Sequence, residues 1–140
     1  MIVLIRIKGE VGLNRDVEET LNRLRLKKKY SCVVIHNPKK EELGMIHKVK
    51  DFIAFGKINS AELEKLIEKR GQSANGKKIN AMETAKGFES GKKLQELNLK
   101  PFFRLHPPIG GIDSKKNFGV AGGVLGNHGD KINELLERML

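Results

Sequence analysis

The segment Gly71-Gln72-Ser73-Ala74-Asn75-Gly76-Lys77-Lys78 comes within one residue of the phosphate-binding pattern G-x-x-x-x-G-K-[ST]. In that pattern the backbone amides of a glycine-rich loop cradle phosphates, and the final hydroxyl holds magnesium. Here Lys78 stands where the hydroxyl belongs, and a helical rather than a strand pattern leads into Gly71. Metal ligand and scaffold are both missing, so a nucleotide-using enzyme built on Gly71–Lys78 remains only a rival reading. The glycines at 119, 122, 123, 126 and 129 do not spell G-x-G-x-x-G, and no apolar strand leads into them. His36, His47, His106, His128 and Cys32 are scattered without metal-ligand spacing. Cys32 lies in an apolar run and reads as a small buried hydrophobe. Acidic residues mostly sit beside lysines on helical faces, as solvated ion pairs do. Neither a catalytic residue nor a metal or cofactor is expected.

Positive charge is the resource this sequence does have. Its 27 Lys and Arg outnumber 17 Asp and Glu, for a net charge of +10. Such an excess favours polyanions, nucleic acid before an anionic membrane surface. Arg23, Arg25, Lys27, Lys28 and Lys29 place five cations in seven residues at the end of a helical pattern. One or two would compensate the helix dipole. Five repel one another unless an anion lies nearby, which points to RNA or DNA. A second candidate is "HPPIGGIDSKKNFGVAGGVLGNHGDK", residues 106–131, with seven glycines, three lysines and few large apolar residues. Glycine lets a backbone approach closely and take positive φ, and lysine neutralises phosphate. The stretch reads as a loop that an outside partner orders, with 109–128 mobile in the free chain. Gly44 breaks a good helical pattern, which signals close approach of another backbone, either the sheet beneath or a phosphate chain.

These residues need elements to hold them. The 140 residues, 39% of them hydrophobic, suffice for one compact domain, or one with an appendage. With a single cysteine no intrachain disulfide can form, which suits a reducing compartment. No apolar run approaches the roughly 20 residues that span a bilayer, and "MIVLIRIKG" lacks the basic start of a signal peptide, so a cytoplasmic protein is expected. Ile2–Lys8 reads as a strand, with alternation at Ile5, Arg6, Ile7 and Lys8. A helix from Asp16 to about Leu26 follows, with Val17, Leu21 and Leu24 on one face. Tyr30–His36 is a second strand. Asn37-Pro38 suits a helix start, and Leu43, Ile46 and Val49 line that helix. Asp51–Ile58 is a third strand, and Ser60 opens a helix that Gly71 stops. Residues 72–81 read as a polar loop, Ser90–Leu97 as a short helix and Pro101–Leu105 as a short strand. Asp130 caps a last helix with Ile132, Leu135, Leu136 and Met139 along one side. Alternating elements of this kind leave parallel and antiparallel sheets both open.

With its elements in order, the sequence resembles the universal large-subunit ribosomal protein L-thirty family in its longer archaeal and eukaryotic form. The first block that carries the resemblance is the opening strand with "VGLNRDVEETLNRLRLKKKYSCVVI", Asn37-Pro38 and "LGMIHKVKDFI". The second, more specific block is "FRLHPPIGGIDSKKNFGVAGGVLGNHGDKINELLERM", Phe103 to Met139. The resemblance departs at Arg25, where the family often has glycine, and at Ile109, where a basic residue is frequent. It implies an α+β fold: a β-α-β-α-β core with an antiparallel three-stranded sheet, a ferredoxin-like relative, over 1–58. A helical, glycine-rich extension over 59–140 would then present the 106–131 loop to RNA. It implies a structural place on the large ribosomal subunit, against large-subunit RNA, close to 5S RNA and beside neighbouring ribosomal proteins, with no membrane and no small-molecule substrate. Charge density and resemblance together nominate Arg15, Arg25, Lys27, Lys28, Lys29, Lys48, Arg104, His106, Ser114, Lys115, Lys116, Asn127 and His128 as RNA-binding residues. A free-standing RNA-binding or chaperone protein is the rival within the same class.

Overall fold

A computed structural model describes residues 1–8, 14–71, 80–91, 100, 102–109, 114–117 and 123–140; at 114–117, 123 and 124 it describes the backbone alone. Strands β1 (Ile2–Arg6), β2 (Ser31–Ile35) and β3 (Ile53–Lys57) form the expected core. β1 lies between the other two and runs antiparallel to both, with Leu4 opposite Val33 on one side and Phe55 on the other. Helices α1 (Arg15–Arg23) and α2 (Lys40–Lys48) make the two connections. The C-terminal half adds α3 (Ser60–Arg70) and α4 (Ala81–Glu89). Then come β4 (Phe103–Arg104), β5 (Ser114–Asn117) and β6 (Gly123–Asn127), a 3-10 turn at Gly129–Lys131 and α5 (Ile132–Met139).

The fold class is α+β, but the sheet does not stop at three strands. Its order is β4-β2-β1-β3-β6-β5. β4 pairs antiparallel with β2, whereas β6 pairs parallel with β3 and β5 parallel with β6. Two of the added strands lie inside 106–131, so that stretch is not a single structureless loop. Strand pairing is made by backbone N–H and C=O groups, so a glycine-rich segment can join a sheet with few side chains of its own. Residues 110–113 and 118–122 fall outside the described residues.

Helices cover both faces of the sheet. Leu4, Val33 and Ile53 pack with Leu21, Leu24, Leu26, Ile46 and Val49 of the α1–α2 layer. Val3, Ile5, Ile7, Val34 and Ala54 pack on the other face against Leu63, Leu66 and Ile67 of α3, Phe88 of α4, and Ile132, Leu135, Leu136 and Met139 of α5. Each such side chain, fully buried, contributes about 1.5–3 kcal/mol. Double coverage corrects the alternation expected of β1: Arg6 does not face water but is 1% exposed.

α5 seats on β3 through Gly56. A methyl group there would strike the Gly129 carbonyl oxygen and lie 2.8 Å from Ile132 Cβ. The His128 N–H donates to the Phe55 carbonyl at 2.8 Å, and Asn133 Nδ2 donates to the Lys57 carbonyl at 3.3 Å. The start of α5 is thus hydrogen-bonded to the end of β3.

Several boundaries differ from expectation, each for a local reason. Asn14 rather than Asp16 caps α1, its side chain accepting the Asp16 N–H at 3.1 Å. Asn59 rather than Ser60 caps α3, accepting the Glu62 N–H at 2.8 Å. In both cases the capping oxygen must come from the residue still outside the helix. Asn37 is not a cap: it takes a left-handed φ of 48°, and α2 begins after Lys39 without a side-chain cap. Leu43 is 46% exposed, so Ile46 and Val49 alone carry the buried seam of this helix. Asp130 sits within the 3-10 turn rather than capping α5. Asn80 caps a helix the sequence did not announce, α4, which runs through Gly87 to Glu89, while most of the helix expected at Ser90–Leu97 lies outside the described residues. Residues 92–99 lie outside the described residues, as do 72–79, nearly all of the phosphate-loop look-alike; what precedes Gly71 is a helix. A methyl on Gly44 would meet nothing within 4 Å, so this glycine is not forced by helix packing on the sheet.

Candidate nucleic-acid interface

The cation cluster follows α1, and the way α1 ends fixes its geometry. The Arg25 N–H donates to the Asn22 carbonyl at 3.0 Å, and the Leu26 N–H reaches back to the Leu21 carbonyl at 2.9 Å. This paired closure ends a helix when the residue between takes the left-handed conformation, and Leu21 against Leu26 supplies its customary apolar contact. Arg25 is that residue, with φ 64°. The position calls for glycine, and an arginine there is strained by about 1–2 kcal/mol. Arg25→Gly is therefore expected to raise the stability of the free protein by about 1 kcal/mol, glycine's greater freedom in the unfolded chain offsetting part of the relief. Urea denaturation checks this; a midpoint at or below that of the parent refutes it.

The rest of the connection is pinned from below. The buried Arg6 guanidinium donates through Nη1 to the Leu26 carbonyl at 2.8 Å and through Nε to the Lys8 carbonyl at 2.9 Å. The Tyr30 N–H donates to the Arg6 carbonyl at 2.7 Å, with Tyr30 itself at φ 64°. The Leu105 N–H donates to the Tyr30 carbonyl at 3.0 Å, which ties the segment after β4 to the same place. Lys27, Lys28 and Lys29 are thus held between two left-handed residues rather than on a free loop.

Arg25, Lys27, Lys28 and Arg104 meet around a cleft of about 340 Å³ that Ser31 and Phe102 complete. Arg104 lies directly opposite Ser31 in the β4–β2 pair, and its guanidinium stands over the Phe102 ring, 5.4 Å from the centroid. Among the described residues no carboxylate forms an ion pair with any of these four cations. Arg23 differs, because Glu19 accepts from it at 2.8 Å. Lys29 lies just outside, its ammonium 5.1 Å from the Tyr30 ring centroid.

The other nominated residues do not join this cleft. Arg15 opens α1 at its far end, and Lys48 is exposed in the last turn of α2. His106 is half-buried, its ring engaged by the carbonyl oxygens of Pro107 and Leu140. Ser114, Lys115 and Lys116 form β5 at the opposite sheet edge, with only their backbone described. Asn127 ends β6 and accepts the Gly129 N–H at 2.9 Å, while His128 is buried. Phe102, Ser31 and Arg6 were missed. The available signals were an arginine inside an otherwise apolar strand and two consecutive phenylalanines, of which Phe103 is buried.

Nothing in this arrangement resembles catalytic machinery. Burial drives the Cys32 thiol far above its ordinary pKa, leaving it protonated and inert. Among the described residues no group of three His, Cys, Asp or Glu is placed to hold a metal, and no helix is long and apolar enough to cross a membrane.

Fold and site together define a class: an α+β domain that gathers cations at one sheet edge, without carboxylate partners among the described residues. The family model described as "Ribosomal protein L30p/L7e" matches residues 2–53. Curated relatives named "Large ribosomal subunit protein uL30" match nearly end to end. That of Desulfurococcus amylolyticus is 42% identical over 100% of this chain and 98% of its own length. Those of Archaeoglobus fulgidus and Nanoarchaeum equitans are 39% and 38% identical, each covering at least 99% of both chains. The chain belongs to the uL30 family of ribosomal proteins.

Proposed function

We infer that this protein is a structural constituent of the large ribosomal subunit, in the cytoplasm, where it binds ribosomal RNA and adjoins other ribosomal proteins. The observation that carries the RNA-binding part is the cation face of Arg25, Lys27, Lys28 and Arg104, set on a hydrogen-bonded backbone and without carboxylate partners among the described residues. Four positive charges held close together repel one another, and a phosphate backbone relieves that repulsion. The strained arginine at position 25 fits the same reading, since strain is tolerated where function uses it. Within this reading residues 1–58 are the family core, in keeping with the match over 2–53, and 59–140 are an extension that carries a second RNA-facing edge at β5 and β6. 5S RNA is the neighbour assigned to that assembly. The role is positional, with no reaction to catalyse.

Sedimentation tests it. Added to large subunits depleted of their own copy, the protein is expected to co-sediment at one copy per particle and to stay through a high-salt wash. Release in that wash favours a free-standing RNA-binding protein instead. Specific ATP or GTP binding by calorimetry would revive the enzyme reading.

A further inference from the structure

Neutralising phosphate needs cations alone, yet the cleft at the β4 edge also has an aromatic wall. In β4 the buried Phe103 enters the core, while Phe102, beside it, is half-buried and lines the cleft. The Arg104 guanidinium lies over the Phe102 ring, 5.4 Å from its centroid, so a cation and an aromatic ring stand together at the cleft. Bases stack on aromatic rings and on guanidinium planes, but only when they have left their own helix. At about 340 Å³ the cleft is of small-ligand size, far smaller than a duplex. The Ser31 hydroxyl, a donor and acceptor, completes the lining.

We propose that this cleft receives one unstacked nucleotide from a bulge or loop of ribosomal RNA. The base stacks on the Phe102–Arg104 pair, and the flanking phosphates are held by Arg25, Lys27 and Lys28. The proposal rests on the RNA-binding reading and adds to it the conformation of RNA that is recognised. Cations without the stack would take any duplex; the stack selects an interruption in one.

The test compares two hairpins of large-subunit RNA sequence, one fully paired and one with a single bulged 5-iodouridine, by fluorescence anisotropy at fixed salt. The bulged hairpin is expected to bind about tenfold tighter, as one stacked base implies. Irradiation is expected to crosslink the iodouridine to the peptide containing Phe102. Phe102→Leu, which keeps apolar packing, should abolish the preference for the bulged hairpin, while Phe102→Tyr should retain it. Should Phe102→Leu fail to fold, the hairpin comparison and crosslink with the unmodified protein decide alone. Equal affinities, or a crosslink elsewhere, overturn the cleft proposal and leave RNA binding standing. Failure to bind either hairpin removes both, and leaves an acidic protein segment as the cleft's occupant.

Discussion

Replacing Arg25, Lys27 and Lys28 together with glutamine is expected to make the salt dependence of RNA binding shallower by about 2–3 in the log–log slope, at roughly 0.7–0.9 for each phosphate no longer neutralised. Extrapolated to 0.1 M salt, this is a loss of about 100–500-fold in affinity, much the same for every RNA sequence tried. The reason is geometric as well as electrostatic. The residues are held by the α1 closure and by the Arg6 hydrogen bond to Leu26, so little side-chain reach is spent finding the phosphates. All three are exposed, so folding stability should change by no more than about 0.5 kcal/mol. Arg23→Gln is the natural control. It removes a cation of the same cluster that Glu19 already neutralises, and should change the slope by much less. An unchanged slope in the triple variant rules out phosphate binding at this edge.

The second large effect is on stability. Gly56→Ala inserts a methyl group between β3 and the turn that starts α5, where it meets the Gly129 carbonyl oxygen and the β-branched Ile132. Neither can swing aside as a long side chain would. The cost is expected at the upper end of overpacking penalties, about 3 kcal/mol, or roughly 10 °C in melting temperature for a domain of this size. Gly44→Ala is the matched comparison. It adds the same methyl group to open space inside α2, and should stabilise by about 0.5–1 kcal/mol. Thermal melts of the two variants should move in opposite directions. A Gly56→Ala protein that melts with the parent shows that the α5 seat yields without cost.

The first half of the fold was legible because it is written in apolar periodicity. Leu21 and Leu24, Ile46 and Val49, and the strand runs through Val33 and Ile53 carry their own pattern, and close in under 60 residues of chain. The parallel strands were not legible. Ala54 pairs with Gly126, and nothing in a glycine-rich segment announces a partner so far back in the chain. Arg6 misled in another way: alternation reads it as exposed, but it shares the Leu4 face, which the α1–α2 layer covers and where the Leu26 carbonyl accepts from it. At the site, cation density alone singled out Arg25, Lys27 and Lys28. Phe102 and Ser31 joined them only through the β4–β2 pair, which sequence reading had no means to align. The strain at Arg25 was visible only where the resemblance marked a position usually given to glycine.

The parallel pairing of β6 with β3 also sets a clock on synthesis. When Lys57 leaves the ribosome, β1, β2 and β3 can already pair, but β3 is then an open edge, and the face of Val3, Ile5, Val34 and Ala54 still awaits α5. At roughly 5–20 residues per second, Met139 follows about 4–16 s later. Helix formation and collapse of so short a chain take microseconds, far less than that interval, so the half-covered sheet waits for nearly the whole of it. An unpaired edge beside uncovered apolar surface invites association with other chains. This protein's exposure to aggregation is therefore governed by the rate of translation through residues 58–139 rather than by the stability of the finished fold.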